Sequence, residues 1–126
     1  MRLLLDSHAL LWWLDDSPRL GSQARAMIAN AASVAVSMAS IWEIAIKAGL
    51  GKLAVDVGEL LDNVGRDGFE LLPITAADCL AIARLPRHHG DPFDRMLIAQ
   101  ARARDLTLVS DDANFAAYQV SIAACA

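Results

Sequence analysis

Short strand-like runs alternate with helix-length segments from one end of this chain to the other, and that alternation restricts its fold more than any other feature. The strand-like runs are residues 2–5, 33–36, 69–74, 106–109 and 119–122. Between them lie helical segments at about 8–14, 22–31, 39–50, 57–66, 75–85 and 91–104, and a helical turn at 113–117. Punctuation supports these bounds. Ser7 suits a cap for the first helix, and Asp15-Asp16-Ser17-Pro18 breaks it. Gly49, Gly51 and Gly68 act as stop signals, and Pro86 closes the helix that Thr75 caps. Pro73 interrupts the third run, so that strand either lies at a sheet edge or ends there. Asp91, Pro92 and Asp94 suit the N-cap, first and third positions of the next helix. Strands alternating with helices imply the α/β class, with a mostly parallel sheet covered on both faces.

The chain has 126 residues, of which 56% are hydrophobic, so a sizeable core and a single domain spanning 1–126 are expected. No apolar run approaches the roughly 18 residues of a membrane span. Asp6 interrupts the leucines too early for a signal peptide, and a cytoplasmic location is expected. Cys79 and Cys125 form no CxxC, so neither a disulfide framework nor a zinc site is expected. Cys79 reads as a small core residue and Cys125, beside the terminus, as frayed. The net charge of −4 argues against holding nucleic acid by long-range attraction. It does not exclude a nuclease whose carboxylates lie under bound metal.

Four acids sit where pattern alone does not put a carboxylate. Asp6 ends Leu3-Leu4-Leu5, and Glu43 interrupts Ile41-Trp42-Glu43-Ile44 on an almost wholly apolar helix. Asp94 opens the run Met96-Leu97-Ile98-Ala99, and Asp112 follows Leu108-Val109-Ser110. Asp6 and Asp112 each lie just past a strand, where open parallel sheets bind ligands. Buried carboxylates are costly unless paired or bound to a cation, so a divalent metal is the simplest shared partner. Taken singly, each acid has a plainer role: turn residue or part of an N-cap for Asp6, helix-dipole partner for Asp94, cap for Asp112, and a solvated partner of Lys47 for Glu43.

Around the four, Ser7, Ser110 and Asp91 are supporting candidates, and Asp111 competes with Asp112. Arg95, next to Asp94, is either a candidate RNA phosphate contact or a surface charge. His88-His89 lack companions at zinc-binding spacing and read as a solvated loop. Trp12 and Trp13 point about 100° apart on a helix, so either two layers cover it or one face meets a partner.

These motifs together resemble the PIN-domain ribonucleases of the VapC toxin type. The matching stretches are Leu4-Leu5-Asp6-Ser7-His8-Ala9-Leu10-Leu11-Trp12-Trp13-Leu14, Ala39-Ser40-Ile41-Trp42-Glu43-Ile44-Ala45-Ile46-Lys47 with Leu50-Gly51-Lys52-Leu53, Leu85-Pro86 and His88-His89 with Asp91-Pro92-Phe93-Asp94-Arg95-Met96-Leu97-Ile98-Ala99-Gln100-Ala101, and Leu108-Val109-Ser110-Asp111-Asp112 with Phe115. The resemblance spans the chain, and the third stretch is the most specific. It implies a PIN-like three-layer α/β/α sandwich with a mostly parallel central sheet. It also implies an endoribonuclease that uses Mg2+ or Mn2+, with Asp6, Glu43, Asp94 and Asp112 as catalytic and metal-binding acids. The family usually places Thr, any residue, then Asp at the last stretch. Ser110 keeps the hydroxyl, and the spacing favours Asp112 over Asp111. The resemblance further implies a cognate VapB-type antitoxin protein, a homodimer or toxin–antitoxin hetero-oligomer, and an RNA substrate such as tRNA or rRNA. The Trp12/Trp13 helix is a candidate antitoxin contact.

Two other classes share part of this pattern. A phospho-accepting receiver domain needs a Lys near its last strand, and no Lys follows Lys52. A metal-dependent phosphatase with a nucleophilic Asp needs a second Asp two residues on, and that position is His8.

Overall fold

A computed structural model describes all 126 residues. Strands β1 (Arg2–Leu5), β2 (Ser33–Ser37), β3 (Glu70–Leu72), β4 (Thr107–Val109) and β5 (Ile122–Ala123) form one sheet in the order β3-β2-β1-β4-β5. Every neighbouring pair is parallel. The chain builds outward from β1 through β2 to β3, then returns to lay β4 on the other side of β1. The reversal falls between β1 and β4, so the loops leaving their carboxyl ends diverge and open a crevice there.

The central strands are apolar on both faces, and the packing follows from that. Successive strand side chains point to opposite sides. Leu3 and Leu5 enter one apolar cluster with Val34, Val36 and Val109, while Leu4 enters a second with Ala35 and Leu108. All three leucines are fully buried, each worth about 1.5–3 kcal/mol of transfer free energy. Neither face can meet water, so helices must cover both. Helices α1 (Ser7–Leu14), α2 (Ser22–Asn30), α3 (Met38–Gly49) and α4 (Val57–Arg66) cover the first face through Leu10, Ile28, Ile44, Leu60 and Val64. Helix α6 (Pro92–Arg104) covers the second through Leu97, Ile98 and Ala101, with α5 (Ala76–Arg84) packed beside it. The result is the expected three-layer α/β/α sandwich. No helix is long and apolar enough to cross a membrane.

Three local expectations change. Strand β3 stops at Leu72, because Pro73 has no N–H to donate, and it lies at the sheet edge as expected. Strand β5 begins later than expected. Tyr118 is buried in the second cluster and holds the preceding residues in a turn after the 3-10 helix η1 (Ala113–Ala117). The cysteines exchange their expected environments. Cys125 is fully buried, and burial, helped by the charges of Asp6 and Asp111, pushes its thiol up to about 12. Cys79 is exposed. Its helix turns Asp78 inward instead, onto Arg104 at 2.9 Å and Gln100 at 3.1 Å. Burial alone would raise the Asp78 carboxyl. Hydrogen bonds from Arg104, the Thr75 N–H and Gln100 outweigh it and bring Asp78 down to about 2.

Candidate functional site

Asp6 is the first residue after β1, and its carboxylate caps α1 by accepting the Ala9 N–H at 2.8 Å. Of the two capping candidates, Asp6 takes the role, and Ser7 is the first residue inside the helix. The Ser7 hydroxyl is therefore free to donate to Glu43 Oε1 at 2.6 Å. Glu43 Oε2 also faces Lys47 Nζ at 3.5 Å, one turn further along α3. The plainer pairing with Lys47 is thus present, but the Glu43 side chain is largely buried rather than solvated.

Ser110 is the first residue after β4 and lies opposite Asp6, because Leu5 and Val109 are in register. Its hydroxyl bonds Asp6 and accepts the Asp112 N–H at 3.0 Å. Asp112 caps η1 through the Asn114 N–H at 2.9 Å. Asp111 turns away, and its Oδ1 accepts the Cys125 N–H at 2.6 Å. Geometry therefore puts Asp112, not Asp111, at the mouth of the crevice.

Asp94 enters from α6. Asp91 caps that helix as expected, accepting the Phe93 and Asp94 N–H groups at 2.9 and 3.0 Å. Asp94 Oδ2 lies 2.8 Å from His89 Nε2. Donor atoms of His89, Asp94 and Asp112 all fall within 4.8 Å of one another. The structure thus brings Asp6, Asp94 and Asp112 to the β1/β4 switch point, with Glu43 joined through Ser7.

The electrostatics of this cluster are unbalanced. Burial raises the Asp6 carboxyl, against hydrogen bonds from Ser110 and Ala9 and the charge of His8, and Asp112 pushes it further up. Burial likewise raises Asp94 to about 6; the His89 hydrogen bond opposes it, while the charges of Asp91 and Asp112 add to it. Asp112 repels both neighbours, and no Lys or Arg is paired with any of the three. Hard carboxylate oxygens held together with histidines but no Lys or Arg beside them are a donor set that fits a divalent cation.

Two residues differ from their sequence reading. Arg95 was a candidate RNA contact or a surface charge and is neither. Its side chain is buried, and its guanidinium donates to the carbonyls of Pro86 at 2.9 Å and of Ile82 and Leu85 at 3.2 Å each. His89 was read as part of a solvated loop, yet it faces Asp94. A loop imidazole has no periodicity to reveal it; its signals are its place in the His88-His89 pair of the family-like stretch and its position just ahead of the Asp91 cap.

Trp12 and Trp13 are both partly buried against the first cluster, and neither is a core residue. Trp12 stacks on His8 at 5.4 Å, and Trp13 donates to Asp67 at 3.0 Å. The exposed tryptophan is Trp42, which meets Phe93 edge-on at 5.1 Å. The two line a cavity of about 300 Å3 with Ile74, Ile82, Arg87 and Met96.

Comparison with known proteins adds three findings. The family model of the PIN domain matches residues 3–120. Ribonuclease VapC22 of Mycobacterium tuberculosis is 31% identical over 117 residues, which cover 87% of this chain and 86% of that protein. Among solved structures, VapBC2 from Rickettsia felis bound to a DNA fragment from its promoter superposes with a TM-score of 0.74 at 16% identity, covering 98% of each chain. DNA-bound VapBC from Salmonella typhimurium gives 0.71 at 17% identity, covering 100% of this chain and 99% of that one.

Proposed function

The chain belongs to the PIN-domain family of VapC-type ribonucleases, and on that premise we propose that it is a toxin endoribonuclease, dependent on Mg2+ or Mn2+ and neutralised by a VapB-type antitoxin. Residues 1–126 are taken as one PIN domain. The observation that supports the reading is the convergence of Asp6, Asp94 and Asp112 at the β1/β4 switch point with no Lys or Arg paired to them.

Asp94 and Asp112 would hold the ion, with Asp6 beside them at the strand end. Such an ion would supply positive charge against the phosphodiester and favour ionisation of the attacking water. Asp6 keeps its position because one oxygen is bound to the Ala9 N–H. Glu43, held by Ser7 at 2.6 Å, orients the attacking water and accepts its proton at Oε1 or Oε2. Ser110 fixes Asp6 and the Asp112 backbone relative to one another. Asp91 aims Asp94 by capping its helix. The recessed acids suit single-stranded or loop RNA, such as that of tRNA or rRNA, whose splayed backbone can reach them. Partner binding as a homodimer or a toxin–antitoxin hetero-oligomer belongs to the same reading, as does a cytoplasmic location. The likeness to solved VapBC assemblies supports the antitoxin part of that reading.

The test is cleavage of labelled tRNA and structured RNA by purified, antitoxin-free protein with Mg2+ or Mn2+ against EDTA, beside Asp6→Asn. Metal-dependent cutting at discrete sites, lost in Asp6→Asn, is expected. Hydrolysis of aryl phosphate, or labelling by acetyl phosphate, with RNA left intact would favour the phosphatase or receiver reading instead.

A further inference from the structure

The acidic cluster contains a nitrogen donor. His89 Nε2 lies 2.8 Å from Asp94 Oδ2, and the donor atoms of His89, Asp94 and Asp112 fall within 4.8 Å of one another. Neighbouring donors around an octahedral ion with bonds of about 2.1 Å stand about 3.0 Å apart. His89 and Asp94 already hold nearly that spacing.

The loop that carries His89 is held by buried groups. Tyr118 is buried, and its hydroxyl accepts the backbone N–H groups of His88 at 3.1 Å and His89 at 3.0 Å while donating to the Pro86 carbonyl at 2.9 Å. Arg95 ties down the same loop from the other side, donating to the carbonyls of Pro86 at 2.9 Å and His89 at 3.4 Å. A buried guanidinium is costly, and here its bonds go to carbonyls of the segment running into His89 and to the Tyr118 hydroxyl that holds the same segment. His88, by contrast, leans its ring on Tyr118 at 5.1 Å and leaves the site to its neighbour.

We propose that His89 is a direct ligand of the metal ion, completing a His89–Asp94–Asp112 centre that prefers Mn2+ to Mg2+. This rests on the metal-dependent nuclease reading above. Imidazole suits transition metals, whereas Mg2+ is better served by oxygen donors and water. An all-carboxylate centre would show little such preference. For both atoms to bind the ion, the proton shared between His89 Nε2 and Asp94 Oδ2 must leave to solvent or be carried on His89 Nδ1 instead, so binding should weaken as the pH falls.

The experiment is pulsed EPR of Mn2+ bound to the full-length, partner-free protein, beside His89→Gln and with Mg2+ competition by calorimetry. Thermal melting of the metal-free variant checks that it folds. The wild type should show the nitrogen modulation of a directly bound imidazole, which shifts on 15N-histidine labelling and is lost in His89→Gln. That variant should lose at least about tenfold in Mn2+ affinity and less in Mg2+ affinity. Mn2+ bound without nitrogen modulation would overturn the proposal and leave the nuclease reading intact. Nitrogen modulation that persists in a folded His89→Gln protein would overturn it as well. No Mn2+ binding by wild type would overturn both readings together.

Discussion

Replacing Asp94 by Asn should make the metal-free protein more stable at neutral pH while destroying its metal site. Asp94 has a folded-state pKa of about 6 against an ordinary 3.8, because burial and the charges of Asp91 and Asp112 disfavour the carboxylate. Its folded pKa is raised, so its contribution to stability is fully present below about pH 4 and is lost as the pH rises through 6. With 1.36 kcal/mol for each pH unit between the two values, the ceiling on that loss is about 3 kcal/mol. Asp94 retains partial solvent access, and screening cuts the figure to about 1.5 kcal/mol. Asp6 is raised for the same reason and adds to the slope. Asp78 is lowered to about 2, so its contribution is lost only as the pH falls below about 4, outside the window. Asn at position 94 removes the buried charge but also its favourable pairing with the helix N-terminus, worth about 0.3–1 kcal/mol. The net gain expected at pH 7.5 is about 1 kcal/mol, or roughly 4 °C in Tm for a domain of this size. Thermal melts of both proteins in EDTA between pH 4.5 and 7.5 measure it. The wild-type Tm should fall across the range, the Asp94→Asn slope should be flatter, and added Mn2+ should raise only the wild-type Tm. A wild-type Tm that rises from pH 4.5 to 7.5, or an Asp94→Asn protein that melts lower than wild type at pH 7.5, would refute the account of the cluster as an unbalanced buried charge.

Asp112→Ala should abolish Mn2+ binding and lower RNA cleavage by at least about 100-fold, whereas Asp111→Ala should lose only the Cys125 N–H bond, about 1 kcal/mol, with cleavage within a few-fold of wild type; equal effects in paired cleavage assays would contradict the assignment. Ser7→Ala should leave the Tm within about 1 kcal/mol of wild type yet reduce kcat about tenfold, because Glu43 loses its 2.6 Å partner; unchanged single-turnover rates would remove Glu43 positioning from the mechanism. Arg95→Met should destabilise by about 3 kcal/mol, since the carbonyls of Pro86, Ile82 and Leu85 lose their donor, and hydrogen exchange should rise in residues 86–90. An unaltered urea midpoint would argue that Arg95 does not hold the loop.

The sequence alone determined the α/β class, because strand-like runs alternating with helix-length segments leave a parallel sheet with covered faces as the consistent solution. The strands bear this out: Leu3, Leu4 and Leu5 have no polar face, and both sides of the sheet are packed. The Asp91–Pro92–Asp94 start of α6 was equally legible, since capping is local chemistry written in adjacent residues. The four acids could be singled out because carboxylates conflict with apolar surroundings whatever the fold. Local rules failed where two adjacent residues competed for one role. Asp6 and Ser7 can both cap a helix, and only the strand end at Leu5 decides that Asp6 does so, which releases Ser7 to Glu43. Asp111 and Asp112 are likewise interchangeable in sequence, until β5 delivers the Cys125 N–H to one of them. Arg95 and His89 needed the tertiary structure entirely. Whether a charged side chain is a surface group or an internal strut depends on residues 82–89 folding back over α6, and loop closure of that kind leaves no period in the chain. The cysteines exchanged places for a similar reason: burial is decided by which helix face meets a neighbour, and Asp78 wins that face of α5 because Arg104 and Gln100 wait on α6 to satisfy it.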